Sequence, residues 1–366
     1  MLKIGRRSNE WSATHRVATW GSSFVLGLAA CACSGESPGA TDTEPELYAR
    51  GVTPGEVTLV SDVIVSSAPR TIVAGLDRVW MSDSKAAKVW SIATDGTLSS
   101  ASVAMVEGEN LDIGPTADGD VWFASGRRDL ARLGRISSEL EIAADAFPNG
   151  DGARRVAASP DGNVWFTEQT GSRVGFVTPD FEVTELDVPS GKPFDISVAA
   201  DGNAWFTEPA ENVIGRVTPA GVVTLFDLPT ANSAPSRLTP GPDSKMWFAA
   251  VGAGSIGSID ADGNVTEYPV ELAAGRTLGS LTGGPDGGIW FTEVGAPRTD
   301  RVIRHMTTSG AFSTVTLPVV QDRYQGGLPV SPEPTDITAG PDGQMWVTAQ
   351  LSPFEDSVVL RIAPID

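Results

Sequence analysis

The stretch Pro193-Phe194-Asp195-Ile196, followed by Asp201-Gly202-Asn203-Ala204-Trp205-Phe206-Thr207-Glu208, Ile214-Gly215-Arg216-Val217-Thr218-Pro219 and Gly221-Val222-Val223-Thr224-Leu225-Phe226-Asp227-Leu228-Pro229, decides the fold. Each phrase is a short apolar or β-branched run ending in turn residues, the signature of a strand and its turn. Four such strands in about forty residues are one blade of a β-propeller.

The unit recurs along the chain. Its tryptophans are Trp80, Trp122, Trp165, Trp205, Trp247, Trp290 and Trp346, spaced 42, 43, 40, 42, 43 and 56 residues apart. The first phrase is read as the innermost strand. The Asp-Gly pairs after it (Asp118-Gly119, Asp161-Gly162, Asp201-Gly202, Asp286-Gly287, Asp342-Gly343) supply the positive φ of a tight hairpin. The Trp-Phe phrase is then the second strand, the Ile-Gly-Arg-Val phrase the third, and the Val-Thr-x-x-x-Leu-Pro phrase the outer fourth. The last copy ends at Val359-Leu360-Arg361-Ile362-Ala363-Pro364, a third strand. Its missing partner is Thr53-Pro54-Gly55-Glu56-Val57-Thr58-Leu59-Val60 at the other end of the repeats. The expected fold is all-β: a seven-bladed β-propeller of four-stranded antiparallel blades, closed by pairing of the N- and C-terminal strands in the last blade, which leaves no open edge.

Outside the repeats, the amino end reads as an address. Lys3, Arg6, Arg7 and Arg16 precede the apolar run Phe24-Val25-Leu26-Gly27-Leu28-Ala29-Ala30, which is too short to span a bilayer. Leu28-Ala29-Ala30-Cys31 resembles a bacterial lipobox, making Cys31 the expected lipidation site. The expected organisation is residues 1–30 as a lipoprotein signal peptide, 31–52 as a lipid-anchored flexible linker and 53–366 as the propeller. The expected location is the bacterial cell envelope, on a membrane through the lipid alone.

Of the 366 residues, 26 are Lys or Arg and 46 are Asp or Glu, a net charge of −20. Residues 1–33 carry +3, so the remainder carries −23. So acidic a body repels nucleic acid, which is excluded as a partner. Cys31 and Cys33 are the only cysteines, so no disulfide or thiolate metal site holds the propeller together.

In an up-and-down blade the start of the innermost strand and the end of the second share a face. From Trp to the Arg position of the third strand takes 11 residues in the regular copy (Trp205 to Arg216), but 13 from Trp122 to Arg135, 14 from Trp290 to Arg304 and 15 from Trp346 to Arg361. The long connection around Val319 to Glu333 enters on the same side. Insertions on one face mark a working side, or tolerated loop drift. Six residues before the hairpin Asp position, the blades carry Thr71, Asp112, Arg155, Asp195, Arg237, Ser280 and Asp336. One residue earlier they carry Arg70, Leu111, Arg154, Phe194, Ser236, Gly279 and Thr335. Asp83, Glu168, Glu208 and Glu293 end second strands nearby. The expected ligand-binding residues are Arg70, Arg154, Arg155, Phe194, Asp195, Arg237, Thr335 and Asp336, at a channel mouth taking a peptide, glycan or envelope protein. The same charges could equally tie blade to blade.

The repeated Gly-Pro-Asp-Gly, Trp-Phe-Thr-Glu and Ile-Gly-Arg phrases resemble those of the streptogramin lyases, or virginiamycin B lyases, over residues 53 to 366. The resemblance implies opening of a cyclic depsipeptide by elimination across its ester, with magnesium as electrophile and a histidine as base. The family's Glu-Pro-His-Gly-Ile phrase reads Glu333-Pro334-Thr335-Asp336-Ile337 here, and its Pro-His phrase falls on Leu278-Gly279-Ser280-Leu281. Thr335 and Gly279 thus stand where the resemblance implies histidines, and Ala349 or Gln350 where it implies a second metal-binding glutamate. Glu333 is retained as the implied metal ligand, with Mg the implied cofactor and Asp336 a substitute base if burial raises its pKa. Of the two histidines, His15 lies in the export segment. His305 follows Arg304 at the position held by Val217 in the regular copy and is read as a packed structural residue. The function expected is binding at the envelope; the alternative is a divergent lyase or other metal-dependent propeller enzyme.

Overall fold

The computed structural model describes residues 54–60, 69–103, 111–125, 132–146, 152–189, 191–295, 301–322, 328–351 and 357–365, all within one compact unit, 51–366. The expected signal peptide, the expected lipidation site Cys31, the expected linker and most residues of the three long third-strand connections lie outside the described residues.

Seven four-stranded antiparallel sheets follow one another as blades: 69–102, 111–146, 155–187, 196–227, 235–269, 276–316, and 333–362 completed by 57–59. The closing pair is as expected, with Val57 opposite Ile362 and Leu59 opposite Leu360. The hairpin glycines Gly119, Gly162, Gly202, Gly287 and Gly343 have φ between +72° and +93°, the conformation expected of them. One element was not foreseen, a small hairpin pairing Val320–Asp322 with Leu328–Val330 between blades 6 and 7.

Alternation along the second strand builds the core. In Ala204-Trp205-Phe206, Trp205 packs forward on Leu238, Met246 and Phe248 of the next blade, while Phe206 packs backward with Trp165 and Val174 of the previous one. Trp80, Trp122, Trp165, Trp247, Trp290 and Trp346 repeat the forward contact, the last into Ile72, Val79 and Met81 of blade 1. All seven are 2% exposed or less, so each interface is sealed by one indole. In blades 5 to 7 the hairpin Asp also accepts the indole N–H: Trp247 to Asp243 at 2.8 Å, Trp290 to Asp286 and Trp346 to Asp342 at 2.9 Å. In blades 3 and 4 the equivalent Asp161 and Asp201 accept instead from Asn163 and Asn203 of the same turn.

The glycine of the third strand is equally structural. Gly134, Gly175, Gly215 and Gly257 lie opposite Phe123, Phe166, Phe206 and Phe248, whose rings fill the space a Cβ would take. Gly215→Ala is therefore expected to cost about 1–3 kcal/mol, read by urea denaturation, because the ring must leave its rotamer. Phe206→Leu in the same chain should recover part of that loss.

This register corrects the reading of blade 6. Trp290 lies opposite His305, not Arg304, so His305 takes the place of Arg216, and Arg304 sits opposite Phe291 where regular blades have glycine. Cross-strand packing sets the register, and Gly288 supplies the space: a Cβ there would overlap the His305 ring.

Candidate functional site

The seven residues counted back from the hairpins do meet. Thr71, Asp112, Arg155, Asp195, Arg237, Ser280 and Asp336, one per blade, form a ring around the central channel and line a cavity of about 270 Å³. They share a level because each occupies the same inward-facing position of an innermost strand, and residues two further on face inward again.

Within the ring the three aspartates are staples. Asp112 Oδ2 accepts the N–H of Val156, Asp195 Oδ2 that of Leu238, and Asp336 Oδ2 that of Ile72, all at 2.9 Å. Each bond joins one blade to the innermost strand of the next, including the closure from blade 7 to blade 1. Arg155 donates to Asp112 Oδ1 at 2.5 Å and lies 3.3 Å from Asp195 Oδ1, while Thr71 also donates to Asp112. Arg237 approaches Asp195 more loosely, at 3.6 Å.

Burial dominates the electrostatics. It pushes the Asp336 carboxyl above its ordinary pKa, with Arg237 pulling partly back, and does the same to Asp195 against Arg237 and Arg155. Burial also works against the Arg155 charge, but Asp112 and Asp195 outweigh it and hold that guanidinium above its usual pKa. The raised carboxyls bind protons more tightly folded than unfolded. Their contribution to stability therefore rises as pH falls from neutral through their folded pKa values, and levels off below about 3.9, the unfolded value. Asp336→Asn should remove its share of that slope, measured as the difference in unfolding free energy across pH 4 to 7.

The mouth residues one position earlier behave differently. The Arg154 guanidinium lies 4.0 Å over the Phe194 ring and donates to Gln169 at 3.0 Å. Burial, then the charges of Arg155 and Arg237, lower its pKa. Arg70 is exposed, and the Thr335 hydroxyl is bonded to Thr348. None of these four lines the cavity, which runs from the ring toward the Asp-Gly hairpin face, for instance through Asp195 to Val198 and Asp336 to Thr338. The second-strand carboxylates do not rim the mouth either: Asp83, Glu168, Glu208 and Glu293 are 3% exposed or less. Glu168 pairs with Arg173, Glu293 with Arg304, and Asp83 accepts from Ala86 and Trp90.

Glu333 has both carboxylate oxygens engaged. Oε1 accepts the N–H of Gly295 at 2.9 Å, and Oε2 accepts from Arg301 at 3.1 Å, while Arg301 holds Gly295 O at 2.9 Å. Arg301 has a fully buried side chain. This is a carboxylate tied to a cation, and among the described residues no group of three or more His, Cys, Asp or Glu converges as metal ligands. The described residues around Glu333 do not fit a magnesium ion. His305 is buried in blade 6, its Nδ1 3.0 Å from Ser313 Oγ and its Nε2 3.5 Å from Asp286. Burial lowers its pKa against the opposing pull of Asp286. It is a packed residue, as expected.

Fold and site together define the class: a propeller of seven Trp-sealed blades, closed by its chain ends around a charged channel. The chain belongs to the Virginiamycin B lyase family, whose profile matches residues 58–354. It is 31% identical over 176 residues to a virginiamycin B lyase of Nocardia farcinica (strain IFM 10152), an alignment covering 48% of this chain and 60% of the relative's length. It is also similar to the crystal structure of virginiamycin B lyase from Staphylococcus aureus, at TM-score 0.71 and 26% identity over 85% of this chain and 99% of that one. The structure of a catalytically inactive form of that lyase with quinupristin is similar at TM-score 0.70 and 27% identity, covering 84% and 98%.

Proposed function

We propose that this family member is an exported lipoprotein of a bacterial cell envelope, carried on a lipid at Cys31, whose propeller binds a peptide, glycan or envelope protein instead of cleaving an ester. The observation that carries this reading is the Glu333–Arg301 pair: the one implied metal ligand that the sequence retains already serves a buried guanidinium. Thr335, in the implied place of the base, has no side chain able to take a proton near neutral pH, and its hydroxyl is bonded to Thr348. The mouth offers a recognition surface in the Arg154–Phe194 stack and the exposed Arg70. A stacked guanidinium suits an acidic or aromatic group of a peptide or sugar acid.

The test is calorimetric titration of the purified chain with envelope-derived peptides and oligosaccharides, each mixture then checked for turnover by mass spectrometry. Saturable binding without turnover, weakened by Arg154→Ala, supports the reading; turnover of any of them overturns it. Cys31→Ala should release the chain from the membrane fraction, and retention there would rule out anchoring through Cys31.

A second reading, a divergent lyase using Asp336 as base, is favoured by one observation, the burial that raises the Asp336 carboxyl toward the pKa of a working base.

A further inference from the structure

Two opposite charges of the ring lack a close partner of opposite sign. Arg237 makes no hydrogen bond to a protein atom among the described residues, and its ion pair to Asp195 spans 3.6 Å, with 24% of its side chain exposed. Asp336 has no cation within ion-pair distance among the described residues, although it feels the Arg237 charge, accepts the N–H groups of Ile72 and Ile337, and bonds the Ser280 hydroxyl. A carboxylate has about four lone-pair directions, so further donors can be accommodated. The two groups belong to blades 5 and 7, and Ser280 of blade 6 lies between them. By contrast Arg155 and Asp112 satisfy each other at 2.5 Å.

Beyond the ring, toward the hairpin face, the cavity wall is divided. Ser197, Thr282 and Thr338 present hydroxyls from blades 4, 6 and 7, and those of Ser197 and Thr338 make no hydrogen bond among the described residues. Val73, Gly114, Pro115 and Ala157 make an apolar wall from blades 1 to 3. At about 270 Å³ the space admits a molecule of several heavy atoms.

We propose that this cavity is a binding site for a small zwitterion of the α-amino acid type. Its carboxylate pairs with Arg237, its ammonium with Asp336, and its short side chain lies on the Val73–Ala157 wall. Such a ligand carries no net charge, so it gives each group a close partner without adding to the ring's imbalance of three carboxylates against two guanidiniums. The site is on the hairpin side of the ring and does not depend on how the mouth is read; its failure would leave the proposed function standing.

The experiment is calorimetric titration of the purified chain with L-alanine, and with acetate and methylamine separately. Saturable one-to-one binding of L-alanine is expected, about tenfold or more weaker in Arg237→Met and in Asp336→Asn, and tighter than either half-molecule by a similar factor. Because either substitution could loosen the ring, Ser197→Leu is the second variant. It leaves every ring charge in place and fills the cavity, so it should abolish binding while cooperative melting persists. Absence of saturable L-alanine binding at millimolar concentration, binding unchanged in Ser197→Leu, or acetate binding as tightly as L-alanine would each overturn the proposal.

Discussion

Trp346→Ala is expected to lower the unfolding free energy by about 3–5 kcal/mol, the range for truncating a buried aromatic. The residue is fully buried and packs across the junction of blades 7 and 1, against Val60, Ile72, Val79 and Met81. Its indole donates to Asp342 at 2.9 Å, and the Arg361 guanidinium lies 5.1 Å from its ring centroid. Any of the seven tryptophans would leave a cavity of similar size. This one lies where the first and last blades meet, a junction that sequence-adjacent blades do not have to make. Urea denaturation of both proteins measures the effect, and a loss under about 1 kcal/mol would mean that the junction repacks.

Glu333→Ala is expected to cost about 3 kcal/mol, at the lower end for breaking a buried ion pair because the carboxylate is 23% exposed while Arg301 is fully enclosed. The substitution removes the carboxylate lying 3.1 Å from a buried guanidinium and also frees the Gly295 N–H. The double variant Glu333→Ala, Arg301→Leu should recover much of the loss, since the two residues act as a unit. Thermal melting with and without magnesium separates this from a metal site. A metal ligand would make the wild type more stable with magnesium and lose that increment on substitution; an ion pair predicts no magnesium effect in either protein.

The blade repeat was legible because each blade writes it as four phrases in residue types whose physics is local, such as Asp-Gly for the hairpin and Trp-Phe for a strand buried between blades. The closing strand was legible because Thr53 to Val60 matches Thr218 to Leu225 and the last copy lacks that phrase. The ring could be located by counting back from the hairpins, since period two fixes which side chains face inward. Its bonds could not. That Asp112, Asp195 and Asp336 each bind the amide of the following blade depends on contacts between residues 43, 44 and 264 apart. Arg301 was missed for a related reason: it enters the third strand of blade 6 through a connection of unusual length and meets Glu333 from 32 residues away. His305 lies one residue from the position that counting from Arg304 gives, because its ring sits over Gly288 and Trp290 pairs with it. The side of the ring on which the cavity lies was not legible either.

On the proposed function this propeller binds without cleaving, because Thr335 stands in the implied place of the base and Glu333 is paired with Arg301. The most direct measurement is incubation of the purified chain with magnesium and a type B streptogramin, following ring opening by chromatography and fragmentation mass spectrometry. The cyclic depsipeptide is expected to stay intact. Ring opening that is lost in Asp336→Asn would contradict it and make the buried aspartate a working base.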